Sequence, residues 1–257
     1  MSMKNRRSFI KNLVLNSVGI ACYPQLFAER NKNIKIKKII LKKGDSILFY
    51  GDSITDGNRN KENNLPSKPD AMGGGYAMSV ATTLSMKYPN MGFTFYNRGI
   101  NGNKTEQMIE RLEKDCVLLK PRPTVITLLT GINDYSLSFS RIGKGNPEKY
   151  ERDLRELLRQ LTIRLLNVRL ILMEPFAFAG IREKIDQFLP DFYSYQPVAE
   201  RLAREFGAAY IPLQSIFNEA IKKSSTQTYS TDGVHPASAG IELIKRAWFD
   251  FVEIQGV

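Results

Sequence analysis

The sequence feature that most constrains the fold is the apolar run at residues 47–50, which ends abruptly in the turn Gly-Asp-Ser-Ile-Thr-Asp-Gly at residues 51–57. Because polar and apolar residues do not alternate within the run, it predicts a strand buried on both faces, as in a parallel sheet. Open α/β sheets bind ligands at turns of this kind, beyond the carboxyl ends of their strands. Ser53 is therefore a candidate nucleophile, and the alternative is that Ser53 and Thr55 only cap the next helix.

Apolar runs alternate with amphipathic segments along the rest of the chain. Further strands are predicted at residues 93–96, 125–129, 168–173 and 209–211. Helices are predicted at residues 73–88, 105–119, 148–166, 197–206, 213–222 and 237–252. Residues 135–146 are predicted to form a loop, and residues 176–195 an irregular aromatic segment with one helix at most. The alternation predicts a single α/β domain with a parallel sheet and helices on both faces.

Residues 1–28 are predicted to be an export signal. Basic residues precede a short apolar segment at 13–21, and no acidic residue occurs before Glu29. The apolar segment is too short to span a bilayer as a permanent helix. Residues 6–11 resemble the twin-arginine export motif. A lipid anchor at Cys22 is an alternative, although Gly19 stands where Leu is expected, and so are cleavage near Ala28 and an amphipathic surface helix.

Residues 29–43 are predicted to be a basic N-terminal arm, which forms either a short edge strand or a segment that lies on the domain. Its lysine side chains would then protect that edge from pairing with other chains. The domain itself is predicted to span residues 44–257. Export would place it in the periplasm or outside the cell.

Composition excludes several classes of function. The chain carries a net charge of +11, but its basic residues are scattered among acidic ones and no stacking platform is visible, so no nucleic-acid partner is expected. The two cysteines, Cys22 and Cys116, provide neither a disulfide framework nor a thiolate metal site, and Cys116 falls on the apolar face of a predicted helix. His235 is the only histidine, which disfavours a metal hydrolase. Nothing in the sequence indicates an oligomeric state.

Polar residues cluster at four points that follow predicted strands or precede a predicted helix. These clusters are residues 52–53, 97–99, 131–133 and 232–235. Because the carboxyl ends of parallel strands share one edge of a sheet, the first three clusters are expected to converge. Acyl transfer needs a nucleophile, a base, a group that orients the base, and hydrogen-bond donors for the oxyanion.

The four clusters contain a residue for each of these roles. Ser53 is the nucleophile, and His235 is the base because an imidazole titrates near neutral pH. Asp232 lies three residues before His235 and can turn back to orient its ring. The backbone N–H groups of Ser53 and Gly99 and the side-chain amide of Asn133 are the expected oxyanion donors. Gly99 in a tight turn, or Asn133 and Asp232 as helix caps, are the structural alternatives, and the combination favours catalysis.

The motifs resemble those of the SGNH hydrolase superfamily, in particular its GDSL esterase/lipase family. Residues 51–55 match the first motif, Gly99 the second, residues 131–134 the third and residues 232–235 the last. The resemblance implies a flavodoxin-like, three-layer α/β/α fold with about five parallel strands. It also implies a serine ester hydrolase that uses no metal and no cofactor. The family's site residues carry over as the triad Ser53, Asp232 and His235, with Ser53, Gly99 and Asn133 as the oxyanion hole.

Proteins that resemble this chain include carbohydrate acetylesterases, lysophospholipases and thioesterases. The polar loop at residues 58–72 and the lack of a continuous apolar lid favour the removal of acetyl or other short acyl groups from a glycan or small-molecule ester. Export likewise favours an ester outside the cytoplasm over an acyl-CoA. A lysophospholipase, a thioesterase and a non-catalytic glycan-binding surface protein are the alternatives. The side chains expected to contact substrate are Asp52, Phe176, Phe178 and Tyr193.

Overall fold

The computed structural model describes residues 37–256, and its centre is a sheet of five strands. These strands are β2 (Ser46–Gly51), β3 (Thr94–Gly99), β4 (Val125–Leu129), β5 (Arg169–Met173) and β6 (Ala209–Ile211). They lie in the order β3-β2-β4-β5-β6, and every neighbouring pair is parallel. The predicted parallel sheet is therefore confirmed, with the strand order of a flavodoxin-like doubly wound fold.

Helices cover both faces of this sheet. One face carries α4 (Thr105–Glu110), α5 (Ile132–Ile142), α6 (Pro147–Arg164), α7 (Glu183–Phe192) and α8 (Tyr195–Glu205). The other face carries α3 (Tyr76–Lys87), α9 (Leu213–Ile221) and α11 (Ser238–Asp250). One-turn helices α1 (Ser53–Asp56), α2 (Pro69–Met72) and α10 (Thr226–Tyr229) lie in the connections. The three layers confirm the predicted α/β/α sandwich.

Strand β2 shows why the apolar run lacks alternation. Its side chains point in turn to the two faces of the sheet, and each face has its own hydrophobic cluster. Leu48 and Tyr50 belong to one cluster, and Ile47 and Phe49 belong to the other. All four side chains are fully buried, so neither face of the strand tolerates polar residues.

The predicted loop at residues 135–146 is wrong, because most of it lies in helix α5. Tyr135 and Phe139 stack with ring centroids 5.8 Å apart, and Phe188 of α7 packs against both. This aromatic cluster joins two helices that are distant in sequence. Its packing stabilises α5 although the local sequence, rich in serine, has little helix propensity.

One further segment differs from the sequence prediction, and another contains the single helix predicted there. The helix predicted at residues 105–119 is divided, since α4 ends at Glu110 and a π-helical turn follows at Glu113–Val117. Cys116 lies in that turn, buried and without a disulfide, as predicted. The aromatic segment 176–195 contains all of α7 and the first residue of α8, with Pro190 inside α7.

The basic arm contributes a strand, but not to the central sheet. Strand β1 (Ile39–Leu41) pairs in parallel with β7 (Val252–Ile254) in a separate two-stranded sheet. Residues 39–41 of the predicted arm thus pair with the strand at the end of the domain. The export signal predicted at residues 1–28, with Cys22, lies outside the described residues. Within residues 37–256, no helix is both long and apolar enough to cross a membrane.

Candidate active site

Three side chains from two distant parts of the chain form a continuous hydrogen-bonded row at the carboxyl edge of the sheet. Ser53 is the first residue of α1, directly after β2, whereas Asp232 and His235 lie in the loop between α10 and α11. His235 Nε2 is 2.8 Å from Ser53 Oγ. His235 Nδ1 is 2.6 Å from Asp232 Oδ2. The structure thus places all three predicted catalytic residues in the arrangement of a nucleophile, a base and an orienting carboxylate.

The loop that carries Asp232 and His235 is folded by its own side chains. Asp232 Oδ1 accepts hydrogen bonds from the backbone N–H groups of Val234, at 2.9 Å, and His235, at 2.7 Å. Ser230 is fully buried and donates from Oγ to the carbonyl of His235 at 2.8 Å. Gly233 has a φ of 86°, in the left-handed region that favours glycine. One carboxylate therefore both shapes the turn and holds the imidazole.

These hydrogen bonds also set the charge of Asp232. Partial burial acts to raise its pKa, but the hydrogen bonds from the His235 ring and from the backbone N–H groups of Val234 and His235 outweigh burial and lower the pKa to about 2. The carboxylate is therefore ionised at neutral pH. It can stabilise an imidazolium on His235 without taking the proton itself.

Asp52 caps the helix that begins at Ser53 and does not line the cleft. Its side chain is buried, and Oδ1 accepts from the N–H of Ile54 at 3.0 Å as the N-cap of α1. Burial is the main cause that raises its pKa to about 7. The expected contact of Asp52 with substrate is therefore wrong, because this side chain is used to build the turn.

Gly99 was expected to donate to the oxyanion, and the structure contradicts this. Its backbone N–H already donates to Asn97 Oδ1 at 2.8 Å. A Cβ on Gly99 would lie 2.1 Å from the backbone nitrogen of Asp56. Gly99 is therefore a glycine because α1 packs directly against the end of β3, where no side chain fits.

The turn immediately after Gly99 provides a free donor instead. The N–H of Asn103 donates to the carbonyl of Ile100 at 3.1 Å and closes the turn. Gly102 sits within it at a φ of 76°, and its N–H makes no hydrogen bond to any other residue in the range 37–256. Asn133 Nδ2 donates to the carbonyl of Asn103 at 3.1 Å, so the predicted amide donor lies against the same turn.

Sequence reasoning missed Gly102, although its signal was present. The segment that follows β3 contains two glycines in Asn-Arg-Gly-Ile-Asn-Gly, and Asn-Gly is a strong turn signal. Only the hydrogen bonds show which glycine keeps an unused N–H group.

The cleft beside Ser53 is small, and its lining is both polar and apolar. Its volume is about 390 Å³, and its lining residues are Ser53, Ile54, Asp56, Gly57, Asn58, Gly74, Gly75, Asn101, His235, Pro236 and Ile241. The three glycines expose backbone rather than side chains. Gly57 and Gly74 lie in direct contact, since the N–H of Gly74 donates to the carbonyl of Gly57 at 2.7 Å.

The predicted aromatic wall of the cleft is wrong. Phe176 and Phe178 are each only 1% exposed. Both pack against Phe217 of α9, with ring centroids 4.8 and 4.7 Å apart, so they belong to the hydrophobic core. Tyr193 is 37% exposed at the end of α7, but it does not line the cleft beside Ser53.

Comparison with known proteins identifies the family. The sequence pattern described as the GDSL-like lipase/acylhydrolase family matches residues 49–243. The chain belongs to the GDSL-like lipase/acylhydrolase family. This confirms the predicted family and makes the protein a carboxylic ester hydrolase.

Individual relatives in the GDSL family agree in sequence and in fold. An acetylxylan esterase from Geobacillus stearothermophilus is 33% identical over 214 residues, which cover 80% of this chain and 92% of that protein. A GDSL-like lipase from Parabacteroides merdae is 38% identical in sequence. Its crystal structure matches with a TM-score of 0.78, and the match covers 83% of this chain and 97% of that one. The crystal structure of Axe2, an acetylxylan esterase from Geobacillus stearothermophilus, is 29% identical, with a TM-score of 0.70 over 84% of this chain and 95% of that one.

The buried carboxylate of Glu174 begins a hydrogen-bond network that reaches the loop of His235. Glu174, the residue after β5, accepts from the Tyr210 hydroxyl at 2.9 Å and from the N–H of Gln214 at 2.8 Å. The amide of Gln214 in turn binds both backbone groups of Ala177 at 3.1 Å. The next N–H, that of Phe178, donates to the carbonyl of Gly233 at 2.9 Å, so this network holds the loop that carries His235. Burial is the main cause that raises the pKa of Glu174 to about 7.

No metal centre accompanies these groups in the part of the chain that the structure describes. Within residues 37–256, no three histidine, cysteine or carboxylate side chains lie close enough together to hold a metal ion.

The different roles of the two glycines after β3 predict different responses to substitution. We expect Gly99→Ala to reduce the free energy of unfolding by about 3 kcal/mol or more, because the new methyl group would overlap the backbone of α1. Gly102→Ala meets no atom within 4 Å and should cost only about 1–2 kcal/mol, for its left-handed backbone. Urea unfolding of both variants measures the difference. A Gly99→Ala variant that is as stable as wild type would contradict the close packing assigned to Gly99.

Proposed function

We propose that the protein is an exported esterase that removes acetyl or other short acyl groups from carbohydrate. The observation that carries this proposal is the cleft beside Ser53. Three glycines (Gly57, Gly74 and Gly75) and five residues with polar side chains make up eight of its eleven lining residues, and no phenylalanine, tyrosine or tryptophan takes part. Such a lining suits a small acyl group joined to a hydroxyl-rich alcohol, since carbohydrate needs hydrogen-bonding groups around it.

The proposed reaction begins with attack by Ser53 Oγ on the carbonyl carbon of the ester, while His235 Nε2 takes the hydroxyl proton. The carbonyl oxygen becomes an oxyanion as the tetrahedral intermediate forms. His235 then gives its proton to the leaving alcohol oxygen, the C–O bond breaks, and the acyl group remains on Ser53. A water molecule then attacks the acyl carbon in the same way, and His235 takes its proton. His235 passes this proton to Ser53 Oγ as the acyl–Oγ bond breaks and the carboxylic acid leaves.

Three donors are proposed to bind the oxyanion. The N–H of Ser53 has no acceptor within its own helix, because it is the first residue of α1. The N–H of Gly102 and the second N–H of the Asn133 side-chain amide complete the set. Each such donor typically lowers the barrier by about 2.7 to 4 kcal/mol, provided that it is held in place before the charge develops.

The relatives support a carbohydrate ester as the substrate. One is named an acetylxylan esterase, and 92% of that protein aligns with this chain. A lysophospholipase or thioesterase is disfavoured because a cleft of about 390 Å³ leaves little room for a long acyl chain. A purely glycan-binding role is disfavoured because the complete Ser53, His235 and Asp232 row is in hydrogen-bonding contact.

The activity prediction concerns the length of the substrate's acyl chain and the need for the triad residues. We expect hydrolysis of p-nitrophenyl acetate to be much faster than that of p-nitrophenyl octanoate, because the cleft is small. Ser53→Ala and His235→Ala should each reduce kcat more than about a thousandfold. Ser224→Ala, which removes an exposed hydroxyl that does not line the cleft beside Ser53, is the matched control and should keep full activity.

The substrate assay then compares acetylated xylan with a lysophospholipid and an acyl-CoA. Release of acetate from xylan at the highest kcat/KM supports the proposal. Faster cleavage of either alternative substrate would contradict the carbohydrate assignment, and a wild-type protein inert toward all of these esters would contradict the enzyme itself.

Export is proposed on the sequence of residues 1–28 and agrees with a polymeric substrate, which stays outside the cell. Sequencing the N terminus of protein made in the native host tests it. A mature chain that begins near Ala28, or at a lipid-modified Cys22, is the expected result. Met1 retained on soluble cytoplasmic protein would be incompatible with export.

A further inference from the structure

The guanidinium of Arg111 touches three separate parts of the active-site framework. Arg111 lies at the C-cap of α4. Its Nε donates to Asn103 Oδ1 at 2.7 Å, in the turn that carries Gly102. Its Nη1 donates to the carbonyl of Arg98 at 2.7 Å, near the end of β3, and its Nη2 donates to the carbonyl of Gly51 at 3.0 Å, at the end of β2. One rigid group therefore connects the strand that leads into Ser53 with the turn beside it.

The guanidinium is itself held on its remaining sides. The Arg111 Cζ atom lies 4.4 Å from the centre of the Tyr50 ring, in a cation–π contact. Asp115 Oδ2 accepts from Nη1 at 2.7 Å and balances the charge. The Arg111 side chain is only 13% exposed. Arg111 therefore has little freedom to move independently of the two strands.

We infer that Arg111 is a positioning residue that sets the distance between the oxyanion turn and Ser53. This inference rests on the proposed catalytic mechanism, in which Gly102 and Asn133 bind the oxyanion. Arg111 does not touch the substrate. It acts through Asn103, whose carbonyl also accepts the hydrogen bond from Asn133.

The chemistry of the contact requires arginine. A guanidinium is planar and presents five N–H groups in a fixed fork, so it can hold three acceptors at once in one plane. An ammonium has three donors on a flexible stem and cannot reproduce that arrangement. Oxyanion stabilisation depends on donors that are already in place, and a displacement of about 1 Å can cost about a hundredfold in rate.

Other contacts hold the turn at different points. Asp56 Oδ2 accepts from the N–H of Asn101 at 3.0 Å, and Asn133 binds the carbonyl of Asn103. Among residues 37–256, Arg111 is the side chain that binds the Asn103 side chain. Loss of this contact is therefore expected to loosen the turn locally rather than to unfold the domain.

Arg98 provides a matched control. It is also buried, at 3% exposure, and its guanidinium lies 5.3 Å from the centre of the Tyr96 ring. It donates to the carbonyls of Asn97 at 3.0 Å and Asn64 at 2.9 Å, so it binds the polar loop between α1 and α2. The Arg98 side chain does not bind the turn of Gly102. Arg98→Lys and Arg111→Lys thus remove similar buried interactions at different places.

The test measures kcat and KM for p-nitrophenyl acetate in both variants, with the active sites counted by complete reaction with a phosphonate ester. For Arg111→Lys we expect kcat per titrated site to fall about a hundredfold, with KM nearly unchanged, because only the oxyanion donors are displaced. For Arg98→Lys we expect kcat per site close to wild type. Thermal unfolding should show similar losses of stability in the two.

Asn103→Leu is the second variant and removes the acceptor from the other side of the contact. As for Arg111→Lys, we expect a lower kcat with a similar KM. The Arg111→Lys, Asn103→Leu double variant should be no slower than the slower single variant, since both changes remove the same interaction. If Arg111→Lys does not fold, Asn103→Leu alone against Arg98→Lys decides the matter.

Equal kcat losses in the two arginine variants would overturn the positioning role, as would a loss confined to KM or to the number of titrated sites. Additive losses in the double variant would overturn it as well. These results differ from a failure of the proposed function itself. That failure would be seen in an inert wild type, or in a Ser53→Ala variant that keeps its activity.

Discussion

The active site depends on the pairing of β2 with a parallel strand on each side. Gly51, its last residue, is opposite Gly99 of β3 and Leu129 of β4. The connections from β2 to β3 and from β3 to β4 run over opposite faces of the sheet, so the loops diverge at this edge and leave a cleft. Ser53 stands at the floor of that cleft. A Cβ on Gly51 would lie 2.4 Å from the carbonyl oxygen of Leu129, so the close approach of the strands requires glycine there.

Buried carboxylates, rather than long helices, hold the turns around Ser53. Asp52 binds the N–H of Ile54, Asp56 binds the N–H of Asn101, and Asp134 binds the N–H of Thr105 at 3.1 Å. Burial is the main cause that raises the pKa of Asp134 to about 6. Each of these carboxylates replaces water as the partner of an otherwise unpaired backbone donor. Short turns can therefore be fixed firmly enough to place catalytic atoms, at the cost of burying several polar groups.

The proposed triad could be selected from the sequence because its chemistry left few choices. The chain has one histidine, His235, with Asp232 nearby in sequence, and Ser53 follows an apolar run typical of a buried strand. The five parallel strands followed from similar runs, whose pattern is local. These predictions needed only residue type and spacing, since a strand buried on both faces has a direct signature in the sequence.

Features that depend on tertiary contacts could not be predicted in this way. Helix α5 exists because Tyr135 packs on Phe188, a partner more than fifty residues away. The choice between Gly99 and Gly102 depends on one hydrogen bond to Asn97. Phe176 resembles a substrate-binding aromatic residue in sequence, but its ring faces the core.

Covalent labelling of the nucleophile tests the central claim most directly. The protein would be treated with diethyl p-nitrophenyl phosphate, which phosphorylates an activated serine, and then digested for peptide mass mapping. The account predicts one diethylphosphoryl group, located on Ser53, and no labelling in the same time when His235 is replaced by alanine. A label on another residue, or an unlabelled protein that still hydrolyses p-nitrophenyl acetate, would contradict it.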